Sequence, residues 1–340
     1  MNVVDVARQA GVSTATVSRV LNNAGAVKTA TRARVMKVVE ELKFRPNLHA
    51  RSLARGRSRS IGVIVSNIEN PFFFEIYKAV EKGARAEGYE IILANTGYSS
   101  EQLMASVWLM IGQRVAGLAA ITSEMHPELI EELAGYQMPV VFYDVGAQRR
   151  NITNIRVNYR RGMEKLMGYL IRLGHRRLGI VGHHAMLGPI RDRVAAALES
   201  MSRYGEVVVK TAADADGLEG GRRATRVLLS ANPGLTAIAC VNDFMAVGAI
   251  REIRDRGLKV PRDISVTGFD NLELGKFCYP ALTSVHIPRD RIGEMICDVL
   301  LQKDRTRAEH EIVIDPELVV RDSTGPAPND LRRPTRNERL

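Results

Sequence analysis

Four polar residues of this chain stand where a ligand could be held. Asp144, Arg191, Asn242 and Asp270 each follow, or lie near, the C-terminal end of an apolar run that reads as a strand. Together they supply carboxylate acceptors, a bidentate guanidinium donor and an amide that both donates and accepts, the set needed to hold paired hydroxyls of a polyol. Catalytic pairings are missing: no nucleophile or acid/base pair comes with a partner motif. His183-His184 point apart on a strand or loop and have no third ligand at helical spacing, so a metal site is not expected. His175, within Gly174-His175-Arg176-Arg177, precedes a strand and reads as a turn-positioning residue rather than a base. Neither GxGxxG nor GxxxxGK[ST] occurs, so no dinucleotide or phosphate cradle, and no cofactor, is expected. Cys240, Cys278 and Cys297 are odd in number and lack CxxC spacing, which argues against a disulfide framework or a cysteine-built zinc site and fits a reducing compartment.

The elements that must position these residues are legible from Ile61 onward. Apolar runs at Ile61–Val65, Tyr89–Leu93, Gly117–Ile121 and Val140–Tyr143 read as buried parallel strands. Amphipathic stretches at Phe73–Ala86, Glu101–Gln113 and Pro127–Tyr136 lie between them, an alternation that makes a doubly wound sheet. A second series repeats the grammar: Arg177–Val181, Glu206–Val209, Ala237–Val241 and Ile264–Phe269, with Gly220-Gly221 opening a helix. Two such α/β units facing each other would enclose a cleft beyond the C-terminal ends of their strands. At 340 residues the chain can hold two or three domains, and its 45% hydrophobic and 25% charged content excludes a mainly disordered chain. The N-terminus lacks a basic leader with an apolar stretch, and no run of 18 apolar residues occurs, so a cytoplasmic protein that does not span a membrane is expected.

Charge is concentrated at one end. Residues 1–60 carry 12 Lys/Arg against three acids, residues 323–340 carry four Arg against two acids, and residues 61–322 sum to −1 of the total +10. A basic head on a nearly neutral body is the layout of a nucleic-acid-binding module joined to something that binds a neutral partner. The head is ordered rather than a solvated arm. Val3, Val4, Val6, Ala7 and Ala10 recur at helical spacing before Gly11; Ser13 can cap a second helix that turns Val17, Val20 and Leu21 to one side; a third runs from about Thr31 to Leu42 and is stopped by Pro46. Two short helices joined through Ala10-Gly11-Val12-Ser13 match the helix-turn-helix pattern.

These residues also carry a resemblance. Asp5-Val6-Ala7, the run Ala10 to Asn22, Arg45-Pro46-Asn47 and Ala50-Arg51-Ser52-Leu53 resemble the DNA-binding head of the lactose/galactose repressor (LacI/GalR) family. Asn70-Pro71-Phe72-Phe73, Leu173 to Arg177, Asn242 to Gly248 and Gly268-Phe269-Asp270-Asn271 extend the likeness from residue 2 to about 324. The resemblance implies that Thr14, Ala15 and Arg19 face bases and that Ser13, Thr16, Ser18 and Asn22 hold phosphates. It makes Asn47 to Leu53, including Arg51, a DNA-contacting hinge helix, with Leu53 wedged into the minor groove at the operator centre. It places effector contacts at Asp144, Arg191, Asn242 and Asp270 and two of the Phe72–Phe74 rings, Phe72 and Phe73, in the pocket wall. Asp216 falls where the family often has an aromatic residue able to stack on a flat ring, and would be a further acceptor. Lys28 departs from the pattern, standing where a capping serine is common.

The implied plan is an α/β protein with an N-terminal all-α helix-turn-helix head and a periplasmic-binding-protein-like core of two doubly wound parallel-sheet subdomains. The head covers 1–46 and a hinge helix and linker 47–59; the core N-subdomain covers 60–157 and 288–313, the C-subdomain 158–287 and 314–324, and a disordered tail 325–340. The function expected is a ligand-responsive, sequence-specific regulator, a repressor rather than an enzyme, that binds a pseudo-palindromic double-stranded operator as a homodimer and is switched by a neutral sugar or polyol. A tetramer through a C-terminal coiled coil is excluded by Pro326, Pro328 and Pro334, with only Leu331 and Leu340 in that segment. The competing reading is a carbohydrate-active enzyme or sugar-binding protein with a basic head; an indiscriminate DNA-bending protein would not need the large neutral body.

Overall fold

The computed structural model describes residues 2–21, 25, 27–44, 58–124, 127–144, 151–184, 188–205, 207–301 and 311–328, in two units divided at residues 59 and 60. Asn22, Asn47, Arg51 and Leu53, with the hinge segment up to residue 57, lie outside the described residues.

The head packs three helices, α1 (Val3–Ala10), α2 (Thr14–Leu21) and α3 (Thr29–Glu41), around Val6, Ala7, Ala10, Val17, Val20, Val35 and Val38. Asn2 accepts from the backbone of Val4 and Asp5 while Asp5 reaches back to the Asn2 N–H, a reciprocal cap that fixes the start of α1. Gly11 ends it at φ 62°, and Ser13 Oγ accepts from Thr16 N–H at 3.2 Å to start α2. The third helix begins at Thr29 with no side-chain cap, since the residue at the cap position, Lys28, carries only donors.

The larger unit contains two six-stranded sheets. The first has the order β11-β5-β4-β3-β1-β2, from β1 (Ser60–Val65), β2 (Glu90–Asn95), β3 (Leu118–Ile121), β4 (Val140–Tyr143), β5 (Ile152–Val157) and β11 (Glu311–Ile314), and is parallel throughout. The second has the order β12-β10-β9-β8-β6-β7, from β6 (Arg177–His183), β7 (Val208–Asp214), β8 (Ala237–Cys240), β9 (Ser265–Asp270), β10 (Thr283–His286) and β12 (Glu317–Val319), with only β12 antiparallel. The central strands are apolar and buried on both faces, as parallel strands covered by helices must be. The chain passes between the sheets after Val157, after His286 and after Ile314. The strand expectations needed revision at five strands. The strand anticipated at Glu206–Val209 runs over Val208–Asp214, because this edge strand carries exposed polar residues that break an apolar reading. β5, β10, β11 and β12 were not anticipated; in β5, Thr153, Asn154 and Arg156 interrupt the apolar pattern, and the other three are only three or four residues long.

Helices cover the sheets. In the second subdomain, the helix Leu218–Ala231 touches the helix Asp243–Asp255 backbone to backbone: a Cβ on Gly221 would lie 2.1 Å from Met245 O, and one on Gly248 1.9 Å from Leu218 O. The expectation of a disordered segment starting at 325 is corrected for residues 325–328. Gly325 N–H donates to Ser265 Oγ at 3.1 Å, the Gly325 carbonyl lies 3.1 Å from His175 Nε2, and Ala327 N–H donates to Leu173 O at 2.8 Å. His175 is fully buried and its Nδ1 meets Thr236 Oγ1 at 3.0 Å, so it pins its turn to this segment.

Candidate functional site

The strand ends of the two sheets face one cleft. On one side, Asn70 caps the helix Pro71–Ala86, accepting from Phe72 N–H at 3.0 Å, with Pro71 at its first position. That turn puts Phe72 and Phe73 into the wall, edge to face at 5.4 Å, with Tyr143 at the end of β4 tilted against Phe72. Phe74 points away, 43% exposed. Thr122 and Ser123 follow β3, and Tyr98 follows β2 with its ring 5.2 Å from that of His183, the last residue of β6. Of the adjacent histidines, His183 is buried in the cleft and His184 is exposed. Burial holds the His183 imidazole below its usual pKa.

On the other side the helix Gly188–Ser202 carries Arg193, which is 4% exposed. Its guanidinium lies 4.5 Å from the Tyr159 ring and 4.4 Å from the Phe269 ring, and Nη1 donates to Val241 O at 2.7 Å. Nη2 is 3.4 Å from Asp270 Oδ1. Arg193 Nε and Asp270 Oδ1 are both buried without a hydrogen-bond partner. Asp270 adopts φ 107°, a conformation costly for any residue but glycine, and burial pushes its carboxyl up to about 7 although Arg193 and Arg289 oppose the shift. Arg289, at the start of the helix Arg289–Leu300, grips the backbone behind Asp270: it donates to the carbonyls of Asp270, Ile287 (2.8 Å) and Asn271 (2.8 Å), and its Nε reaches Glu75 Oε2 at 2.6 Å.

The anticipated residues divide. Phe72, Phe73, Asn242 and Asp270 line the cleft. Arg191 does not: its side chain is 66% exposed and its nearest acid is Asp192 at 3.7 Å. Residues 191 and 193 lie about 200° apart on a helix, and the buried stripe is Ile190, Arg193 and Ala197, so the apolar neighbours at helical spacing were the signal that distinguishes the two arginines. Asp144 is half-buried and does not line the cleft; its carboxylate is taken by Val157 N–H at 2.7 Å and by the Tyr159 hydroxyl, and desolvation pushes it up to about 6. Asp216, too, is occupied by the protein: Oδ2 accepts from Asn67 Nδ2 (3.3 Å), Asn70 Nδ2 (3.0 Å) and Tyr98 OH (2.8 Å), and Oδ1 from Asn242 Nδ2 (2.8 Å). Asn242 also caps its helix through Met245 N–H at 2.8 Å. Tyr98, Tyr143, Tyr159, His183 and Arg193 were not anticipated as site residues; each is a single polar residue at a strand end or inside a helix.

In the head, Ser13, Thr14, Ala15, Ser18 and Arg19 are exposed and Thr16 half-buried, on the side of α2 away from Val17 and Val20. The arrangement is that of a helix with one exposed polar face.

Comparison with known proteins agrees with both halves. Residues 2–47 match the model of bacterial regulatory proteins of the lacI family, and residues 167–324 that of the periplasmic binding protein-like domain. The repressor PurR of Proteus mirabilis is 35% identical over 337 residues, covering 97% of this chain and 98% of that protein. The lac repressor dimer bound to operator and the anti-inducer ONPF superposes with a TM-score of 0.82 at 29% identity, covering 96% of this chain and 99% of that one. The regulator CelR in complex with cellobiose superposes with a TM-score of 0.67 at 25% identity, covering 95% and 99%. With a head, a two-sheet core and relatives that match over nearly its whole length, the chain belongs to the lacI family of bacterial regulatory proteins, a DNA-binding transcriptional repressor with a ligand-binding domain and not an enzyme.

Proposed function

We propose that the repressor acts as a homodimer on a pseudo-palindromic operator in the cytoplasm and is switched by a neutral, hydroxyl-rich small molecule, a sugar or polyol, bound between the two sheets. The observation that carries the effector class is the orphaned pair at the cleft: Arg193 Nε is a buried donor and Asp270 Oδ1 a buried acceptor, neither hydrogen-bonded. A hydroxyl group accepts from the first and donates to the second, which no purely accepting group does. Asn242, Phe72 and Phe73 complete the wall, and the cellobiose complex of CelR lends the class further support. A phosphate or dicarboxylate would face Asp270 with Asp216 near, and of the two guanidinium groups that act on Asp270, Arg289 is already engaged by backbone carbonyls and Glu75, leaving Arg193 to offset the repulsion. Calorimetry of the full-length protein against sugars, polyols, phosphorylated sugars and nucleobases tests the reading; tight binding of a nucleobase or a phosphorylated sugar, with none of a neutral sugar or polyol, would refute it.

In the head, Thr14, Ala15 and Arg19 are assigned to base edges, Ser13, Thr16, Ser18 and Asn22 to phosphates, and Asn47, Arg51 and Leu53 to the hinge contact with the minor groove. Support comes from the exposed polar face of α2 and from the operator-bound lac repressor dimer among the matched structures. Effector binding changes cleft closure, which rotates the first subdomains of the dimer against each other and so favours or disfavours the hinge; couplings of this kind are typically about 1–3 kcal/mol, or roughly 5- to 150-fold in affinity. Light scattering should return two chains, not four.

A further inference from the structure

Asp216 does something in this cleft other than bind a ligand. It lies between the end of β7 and the helix Leu218–Ala231, in the second subdomain, and three of its four donors, Asn67, Asn70 and Tyr98, belong to the first. Its remaining donor, Asn242, is a neighbour in its own subdomain. Among the described residues no lysine or arginine pairs with it, so the amide and phenol donors are what compensate its charge. Its mount is stiff: Gly217 holds φ 133°, and a Cβ on Gly220 would lie 1.7 Å from Ala215 O, so the loop is pressed onto the first turn of its helix.

We infer that Asp216 is a cross-cleft latch, a positioning residue that holds the two subdomains closed through three hydrogen bonds and thereby sets the resting point of the switch. Opening the cleft separates one carboxylate from three donors at once, so closure by this group is all-or-none rather than graded. An effector is then needed less to draw the subdomains together than to change the balance of a cleft already latched. The consequence for operator affinity rests on the reading of this cleft as the effector site; the latch itself does not.

Hydrogen–deuterium exchange on the full chain, prepared without any effector, tests the latch independently of what the effector is. Asp216→Ala should speed exchange about tenfold or more in segments 66–70, 96–99 and 214–218 while leaving β3 and β8 protected as before. Tyr98→Phe, which removes one donor, should give a smaller change in the same segments, and adding it to Asp216→Ala should change nothing more. Asp216→Asn, which keeps the volume and one accepting oxygen but loses the charge, should raise exchange in the same segments by a smaller factor if the alanine variant does not fold. Unchanged exchange at the cleft rims, a uniform rise through both sheets, or additive effects of the Asp216 and Tyr98 substitutions would each overturn the assignment.

Discussion

Arg193 and Asp270 meet in the core at 3.4 Å without making a hydrogen bond. The guanidinium is placed by other contacts, the rings of Tyr159 and Phe269 and the carbonyl of Val241, and the carboxylate by a strained backbone that Arg289 grips from behind. Each charge is therefore held where a third group can bridge it to the other.

Arg193→Lys keeps the charge but removes the planar fork, and should abolish the effector-induced thermal shift; Arg193→Ala should in addition destabilise the fold by about 3–5 kcal/mol, since it strands a buried carboxylate. Arg191→Ala should change neither quantity. Thermal-shift measurements with and without the sugar found by calorimetry check this, and a response lost in the Arg191 variant but kept in the Arg193 variants would reverse the assignment.

Stability should fall as the pH rises. Burial is the leading cause that lifts the carboxyls of Asp144, Asp270 and Asp243 to about 6, about 7 and about 8. An acid whose folded pKa exceeds its unfolded value binds more protons when folded, so its contribution is complete below the unfolded value and is lost as the pH passes through the folded one. Each unit of elevation corresponds to about 1.4 kcal/mol. Unfolding temperatures should decrease from about pH 6.5, above which the histidines that burial holds below their usual pKa are neutral both folded and unfolded, to about pH 8, and Asp243→Asn should flatten the upper part of that range. A curve that rises across this window contradicts the burial argument.

The segment that follows the last strand is structural as far as residue 328. Truncation after Pro328 should leave the melting temperature within about a degree or two of the intact chain. Truncation after Thr324 removes the carbonyl that meets His175 Nε2 and the Ala327 bond to Leu173, and should lower it by several degrees, the cost of about 1–3 kcal/mol for stranding a buried polar group. Equal melting temperatures for the two truncations would show that these contacts contribute nothing.

DNA affinity should reside in residues 1–59 and decline steeply with salt through counterion release, with substitutions in the cleft leaving the salt slope untouched. Arg19→Ala should lower discrimination at one base pair by about 1–3 kcal/mol, and Leu53→Ala should weaken operator binding more than binding to random DNA. Electrophoretic shifts across a salt series read both effects; equal losses on operator and random DNA would remove the specific roles.

The sequence made the frame of this protein legible because central parallel strands are continuous apolar runs and the head helices keep a regular stripe of valine and alanine. It was poorer at β5 and at the edge strand β7, which mix polar and apolar residues, and poorest in the cleft. Asn242 and Asp270 could be found because they sit at strand ends, whereas Phe72 and Phe73 were found only through the family resemblance. Arg193 could not be told from Arg191 without fixing the rotation of its helix, and the fate of Asp216 and Asp144 depended on which donors the opposite strand ends and Tyr159 happened to bring to them. A carboxylate's neighbours across a cleft leave no periodic trace in the chain.

The glycine seam between the helices Leu218–Ala231 and Asp243–Asp255 decides where this molecule would come apart. With backbone against backbone at Gly221 and Gly248 there are no side chains that could slide or repack, so the loops at the heads of the two helices travel together and the 2.8 Å bond from Asn242 to Asp216 is carried by the frame. The donors from Asn67, Asn70 and Tyr98 have no such tether. A crack through the cleft therefore runs along one side of a single carboxylate, and the weak plane of the protein is drawn by two residues too small to hold anything themselves.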